Sequence, residues 1–156
     1  MPDPYQAGLA MLSRRELSTA QVRERLARKG FDPDAIEDAL ARLREVRALD
    51  DARAAQALAH RSHVRLHGRL RAVRELEGRG IDRGLALRAV DAAYREVDEG
   101  ELIARALARR LRGPIETPAA LRRLYHYLVR QGFDGAAARA ALAPHAAPRA
   151  AGDGPD

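Results

Sequence analysis

One seven-residue pattern constrains this chain more than anything else in it, because it is written three times. LARKGFD at Leu26–Asp32 returns as LEGRGID at Leu76–Asp82 and as LVRQGFD at Leu128–Asp134, at offsets of 50 and then 52 residues. The Leu, the Gly four residues on, the Phe or Ile after it and the Asp after that keep their places. Each copy reads as the end of one helix and the start of the next. The Gly can take the left-handed conformation that closes a helix, the Asp can cap the one that follows, and the apolar residue between them is wedged at the corner. A repeat of this period implies a supersecondary unit that cannot bury its apolar face alone and stacks on its neighbours.

Helical spacing fills in the rest. Asp3-Pro4 opens a first helix through Tyr5, Leu9 and Leu12 to near Glu16. Ser18-Thr19-Ala20-Gln21 has the form of a capping box for a second, with Val22 and Leu26 inward, and Asp32-Pro33 opens a third along Ile36, Leu40, Leu43 and Val46. Asp50 and Asp51 stand where a helix start favours negative charge, as caps or as contacts to a partner; the helix they open reaches about Arg65. His67-Gly68 breaks the chain before a helix lined by Leu70, Val73 and Leu76, and Leu87, Val90, Tyr94 and Val97 mark the next. Asp98 starts a helix with Leu102, Ile103, Ala106, Leu107 and Leu111, which Gly113-Pro114 ends. Thr117-Pro118 starts another with Leu121, Leu124, Tyr125 and Leu128, and a short Ala-rich helix follows Asp134. The expected fold is all-α: nine helices in three stacked sets, residues 1–49, 50–97 and 98–143, with a disordered tail over 144–156.

Of 156 residues 46% are apolar, enough for a core, and there is no cysteine, so disulfides and thiol chemistry are excluded. With neither a signal-peptide pattern nor a long apolar run, a soluble cytoplasmic protein away from membranes is expected. The net charge of +6 is almost wholly arginine, Lys29 being the only lysine. It is also blocked. Residues 53–79 carry seven Arg against Glu75 and Glu77, residues 102–139 carry eight Arg against Glu116 and Asp134, and residues 80–101 between them are net acidic. Such blocks suggest an anionic partner, nucleic acid or an acidic protein surface, against the plainer reading of solvated helix faces.

No nucleophile, base and orienter set can be assembled, and Lys29 precedes Gly-Phe-Asp rather than closing a phosphate-binding loop. The expected chemistry is therefore binding, not catalysis, with no cofactor. His60, His63 and His67 share a helical face at i, i+3, i+7, but Gly68 interrupts it and no carboxylate completes a zinc set, so a solvated or anion-facing stripe is the better reading. Arg123, Tyr127 and Arg130 fall within about 60° of one another on a helical wheel, away from the leucine stripe. They could stack on a partner, or Tyr127 could pack against an adjoining repeat while the arginines extend to solvent. Helical phase also puts Arg105, Arg109 and Arg112 on one face of their helix.

The segments LSTAQVRERLARKGFD at 17–32, LDDARAA at 49–55, Gly-Ile-Asp at 80–82 and LRRLYHYLVRQGFD at 121–134 stand together in an order and spacing that resembles the RecX regulatory proteins, modulators of the RecA recombinase. The resemblance covers roughly residues 7–142. One departure is Ala54, where the family usually carries an aromatic after Asp-Asp-x-Arg. The resemblance implies a curved, elongated array of three-helix repeats, acting as a monomer, that binds along the RecA filament on DNA and restrains its ATPase and strand exchange. On that reading Arg105, Arg109, Arg110, Arg112, Arg122, Arg123, Tyr127 and Arg130 hold the filament, with Arg61, Arg65 and Arg69 as a second contact. A helical DNA-binding protein acting on nucleic acid directly is the alternative.

Overall fold

The computed structural model describes residues 3–146. Its helices are α1 (Pro4–Arg14), α2 (Thr19–Arg28), α3 (Pro33–Glu45), α4 (Asp51–Val64), α5 (Arg69–Gly78), α6 (Arg83–Tyr94), α7 (Glu99–Ala108), α8 (Pro118–Arg130) and α9 (Gly135–Leu142), followed by a 3-10 turn at Ala143–His145. Among the described residues the only β pairing is a single parallel bridge between Ile115 and Ala146, so the fold is all-α. Of the tail expected from residue 144, the first residues belong to that 3-10 turn and bridge, and 147–156 lie outside the described residues.

The three repeated segments form the same corner. Gly30, Gly80 and Gly132 have φ of +88°, +82° and +98°. In each copy the Gly N–H bonds the carbonyl three residues back, and the next residue's N–H bonds that of the repeated leucine: Phe31 to Leu26 at 3.4 Å, Ile81 to Leu76 at 3.0 Å and Phe133 to Leu128 at 3.1 Å. This is a Schellman ending, which explains why the apolar residues lie five apart: the motif places the first and last of its side chains in contact. Leu26, Leu76 and Leu128 are all fully buried. Asp32, Asp82 and Asp134 then cap α3, α6 and α9 through the N–H groups of their first turns.

The chain forms two compact units, one of residues up to Arg65 together with Ala72–Arg95, the other of Leu66–Arg71 with residues from Glu96 onward. In the first, α1 and α2 pack on α3 around Leu17, Val22, Leu26, Ile36, Leu40, Leu43 and Leu49. There α4 lies against α6, and the buried face of α4 is Ala54, Ala55, Ala59 and Ser62. These side chains are small, so the helices can approach closely, and Ala54, fully buried, is part of that face. In the second unit α7 and α8 pack on α9.

Within each unit a corner is seated on the start of an earlier helix. In the first, Ser18 closes the capping box on α2 with Gln21, and its Oγ also donates to the carbonyl of Arg79 at 2.5 Å. A Cβ on Gly80 would lie 2.4 Å from that of Ala20. In the second, the N–H groups of Gly68 and Leu70 donate to the carbonyls of Gln131 (2.7 Å) and Gly132 (3.2 Å). A Cβ on Gly132 would lie 2.4 Å from the Arg71 nitrogen. At these two corners, of Gly80 and Gly132, the carbonyl before the glycine is thus satisfied from outside its own helix.

The two acids opening α4 divide their work. Asp50 caps α4 by accepting from the Arg53 N–H at 3.1 Å, while Asp51 reaches back 32 residues to accept from Thr19 N–H (2.7 Å) and Oγ1 (3.0 Å). Arg53 bonds Glu16 and the carbonyls of Arg47 and Ala48, fixing the turn in which Arg47 has φ of +58°. Asp51→Ala leaves the buried Thr19 donors unpaired and is expected to cost ~2 kcal/mol in urea unfolding. Asp50→Ala, a cap alone, should cost about 1 kcal/mol. Equal losses would remove the special role of Asp51.

Candidate partner-binding cleft

The sequence between α7 and α8 builds a cleft. α7 ends three residues before the last apolar residue of its expected stripe, because the N–H groups of Arg110 and Leu111 both bond the Leu107 carbonyl (2.8 and 2.7 Å) and tighten the turn. Gly113, with φ of +120°, and Pro114 then turn the chain away from the helix. Ile115 is buried and anchors the loop, its N–H bonding the His145 carbonyl at 3.0 Å. Thr117 restarts a helix by accepting from the Ala120 N–H at 3.1 Å, with Pro118 at the first position. The loop and the facing side of α8 enclose about 640 Å³, and Arg110, Arg112, Arg123 and Arg130 line the space with Glu116 as the one acid among the lining residues.

Arg123, Tyr127 and Arg130 are therefore brought to one cleft as their helical phase predicts. Tyr127 is not an open platform. It is 9% exposed, and the Arg110 guanidinium sits 4.4 Å from its ring centroid, a cation–π contact made within the chain. Tyr125 on the same helix is likewise covered, by Arg139 at 5.2 Å and by the edge of His126. Arg112 departs from the shared face expected with Arg105 and Arg109, since α7 stops at Ala108 and Arg112 lies in the loop beyond it. Arg105, Arg109 and Arg122 are exposed but do not line the cleft. The loop Gly113–Ile115 and His126 were legible only as a helix stop and a helix residue; the signal for a cleft was a Gly-Pro turn set between Arg112 and Glu116.

Some arginines of the first unit are paired with acids. There Arg23 meets Glu37 (2.7 Å), Arg53 meets Glu16 (2.6 Å) and Arg83 meets Glu77 (2.8 Å). The hydrogen bond from Arg23 holds the Glu37 carboxyl below its ordinary range. Among the described residues none of Arg105, Arg109, Arg110, Arg112, Arg122, Arg123 and Arg130 has an ion-pair partner. Guanidinium groups are cationic and carry only donors, so the four arginines suit the cleft to binding anions.

Arg61 and Arg65, near the end of α4, line a smaller cavity of about 270 Å³ with Arg79 and Glu75, while Arg69 is exposed at the first residue of α5. The histidines do not converge. His60 is exposed, His63 meets the buried Tyr94 edge-on at 5.5 Å, and His67 lies beyond the helix end, buried, after Leu66 at φ of +64°. No group of three His, Asp or Glu side chains placed to hold a metal occurs among the described residues. No helix among them is long and apolar enough to cross a membrane.

Comparison with known proteins gives a consistent picture. Residues 5–43, which span nearly all of α1 to α3, match the family model described as RecX, first three-helix domain. The chain is 34% identical over 140 residues to Regulatory protein RecX of Syntrophotalea carbinolica, an alignment covering 86% of this chain and 90% of that protein. It is 35% identical over 140 residues to Regulatory protein RecX of Xanthomonas oryzae pv. oryzae, covering 88% of this chain and 86% of that one. The crystal structure of RecX from Lactobacillus salivarius superposes with a TM-score of 0.68 over 90% of this chain and 93% of that chain, at 17% identity, which speaks to the fold.

Proposed function

The chain belongs to the RecX family of regulatory proteins, and from that premise we propose that it binds the RecA filament on DNA and restrains its ATPase and strand exchange, so acting in recombination and DNA repair. The observation that carries this reading is the gathering of Arg110, Arg112, Arg123 and Arg130 at one cleft with no ion-pair partner among the described residues. Like charges held together at a surface repel, and an anionic partner relieves that repulsion. Arg105, Arg109 and Arg122 extend the basic surface, and Arg61, Arg65 and Arg69 supply a second contact.

A filament of protein on DNA suits this surface better than bare nucleic acid. Proteins that hold single-stranded DNA without sequence preference combine a basic groove with open aromatic faces on which the bases stack. Here the rings of Tyr127 and Tyr125 are occupied by Arg110 and Arg139. The test is co-sedimentation of the full chain with RecA assembled on single-stranded DNA, with free RecA and a duplex fragment in parallel. The filament should carry the protein down at concentrations where neither component does. Tight binding to duplex alone, with a steep loss on adding salt, would instead favour direct action on DNA.

A further inference from the structure

The three corners are chemically alike but not equally covered. That of Gly80 is capped by Ser18 and Ala20, that of Gly132 by Gly68, Leu70 and Arg71, while a Cβ on Gly30 would meet nothing within 4 Å. The apolar corner residues follow the same order: Ile81 is 3% exposed and Phe133 1%, whereas Phe31 is only partly buried. Among the described residues no hydrogen bond reaches the carbonyls of Lys29 or Gly30, whereas the carbonyl before the glycine is engaged at both other corners, Arg79 and Gln131, and that of Gly132 as well, Gly80 alone having none. Beside this bare corner, α1 and α2 enclose a groove of about 450 Å³ with Ala7, Ala10 and Met11 among its lining residues. Arg14, Arg15, Arg25 and Lys29 line it too, with no acid.

We propose that the corner Lys29–Gly30–Phe31 and the groove beside it form a docking face for an α-helix of a protein partner, engaged through an N-terminal turn that carries Asp or Glu. The occupant's form follows from the two filled corners. In each the covering element is the start of a helix, whose hydroxyl or free N–H donors meet the carbonyls at the corner. The bare corner offers the same acceptors. Its charge follows from the cations: a basic first turn is repelled, while acidic residues are the ones a helix N-terminus favours and the ones that Arg25 and Lys29 attract. The small and flexible lining residues, Ala7, Ala10 and Met11, admit an apolar side of that helix at close approach.

This inference rests on the filament reading for the partner's identity, and the experiment separates the two. Gly30→Asn keeps a residue tolerant of positive φ and adds a side chain on the face where, at the two filled corners, a Cβ would come within 2.4 Å of the covering element. Lys29→Glu reverses a charge of the groove at an exposed position. Both full-length variants are titrated against RecA assembled on single-stranded DNA, with melting followed by circular dichroism. Near-parental melting and roughly tenfold weaker co-sedimentation for each variant are expected. Parental binding by both overturns the docking face while leaving the filament reading intact. If the unmodified protein fails to sediment with the filament, both readings fall. A self-associated parent that Gly30→Asn dissociates in the ultracentrifuge would assign the corner to a second copy of the chain, contradicting the proposal.

Discussion

Gly132→Ala is expected to destabilise the second unit by ~3 kcal/mol, the sum of roughly 1–2 kcal/mol for a β-carbon at positive φ and roughly 1–3 kcal/mol for overpacking against a neighbour that cannot yield. That neighbour is the Arg71 backbone, 2.4 Å from where the methyl group would stand. Gly80→Ala should be comparable in the first unit, since the obstacle is the Ala20 methyl at 2.4 Å. Gly30→Ala, with nothing within 4 Å, carries only the conformational cost of ~1 kcal/mol. Urea unfolding followed by far-ultraviolet circular dichroism measures the series. Three equal losses would mean that the glycines act only as helix terminators and that the seating of two corners contributes nothing.

This ordering marks where sequence reading stops. The repeated Leu, Gly, apolar and Asp residues announce the helix ends and the caps that follow, because a Schellman ending depends only on residues within six positions of one another. They do not announce which corners are covered. That depends on contacts such as Ser18 with Arg79 and Gly68 with Gln131, about 60 residues apart in the chain. Asp51 is similar: its position at a helix start predicts a cap, but its partner Thr19 opens a different helix. At the cleft, the phase of Arg123, Tyr127 and Arg130 was readable because α8 is regular to its end. That of Arg112 was not, because two N–H groups compete for the Leu107 carbonyl and the helix closes early. The Arg110 contact over Tyr127 depends on that early closure and had no sequence signal of its own.

Reversing Arg112, Arg123 and Arg130 together to glutamate is expected to abolish binding to the filament while the protein stays folded. Each side chain is exposed and unpaired among the described residues. Such surface changes rarely exceed ~0.5 kcal/mol apiece in stability. The swing of six charge units at one cleft turns attraction for an anionic surface into repulsion. Reversal of Arg105, Arg109 and Arg122, which lie outside the cleft, should weaken binding less at equal change in net charge. Equal effects of the two triple variants would mean that overall charge matters and the cleft does not.

The proposed action on RecA through that cleft is tested most directly by the rate of ATP hydrolysis by RecA on single-stranded DNA as the protein is titrated in. Progressive inhibition by the parent protein is expected, and none by the Arg112→Glu, Arg123→Glu, Arg130→Glu variant at concentrations where the parent inhibition is complete, with both proteins giving the same helical spectrum. Inhibition by the variant equal to that by the parent would contradict it.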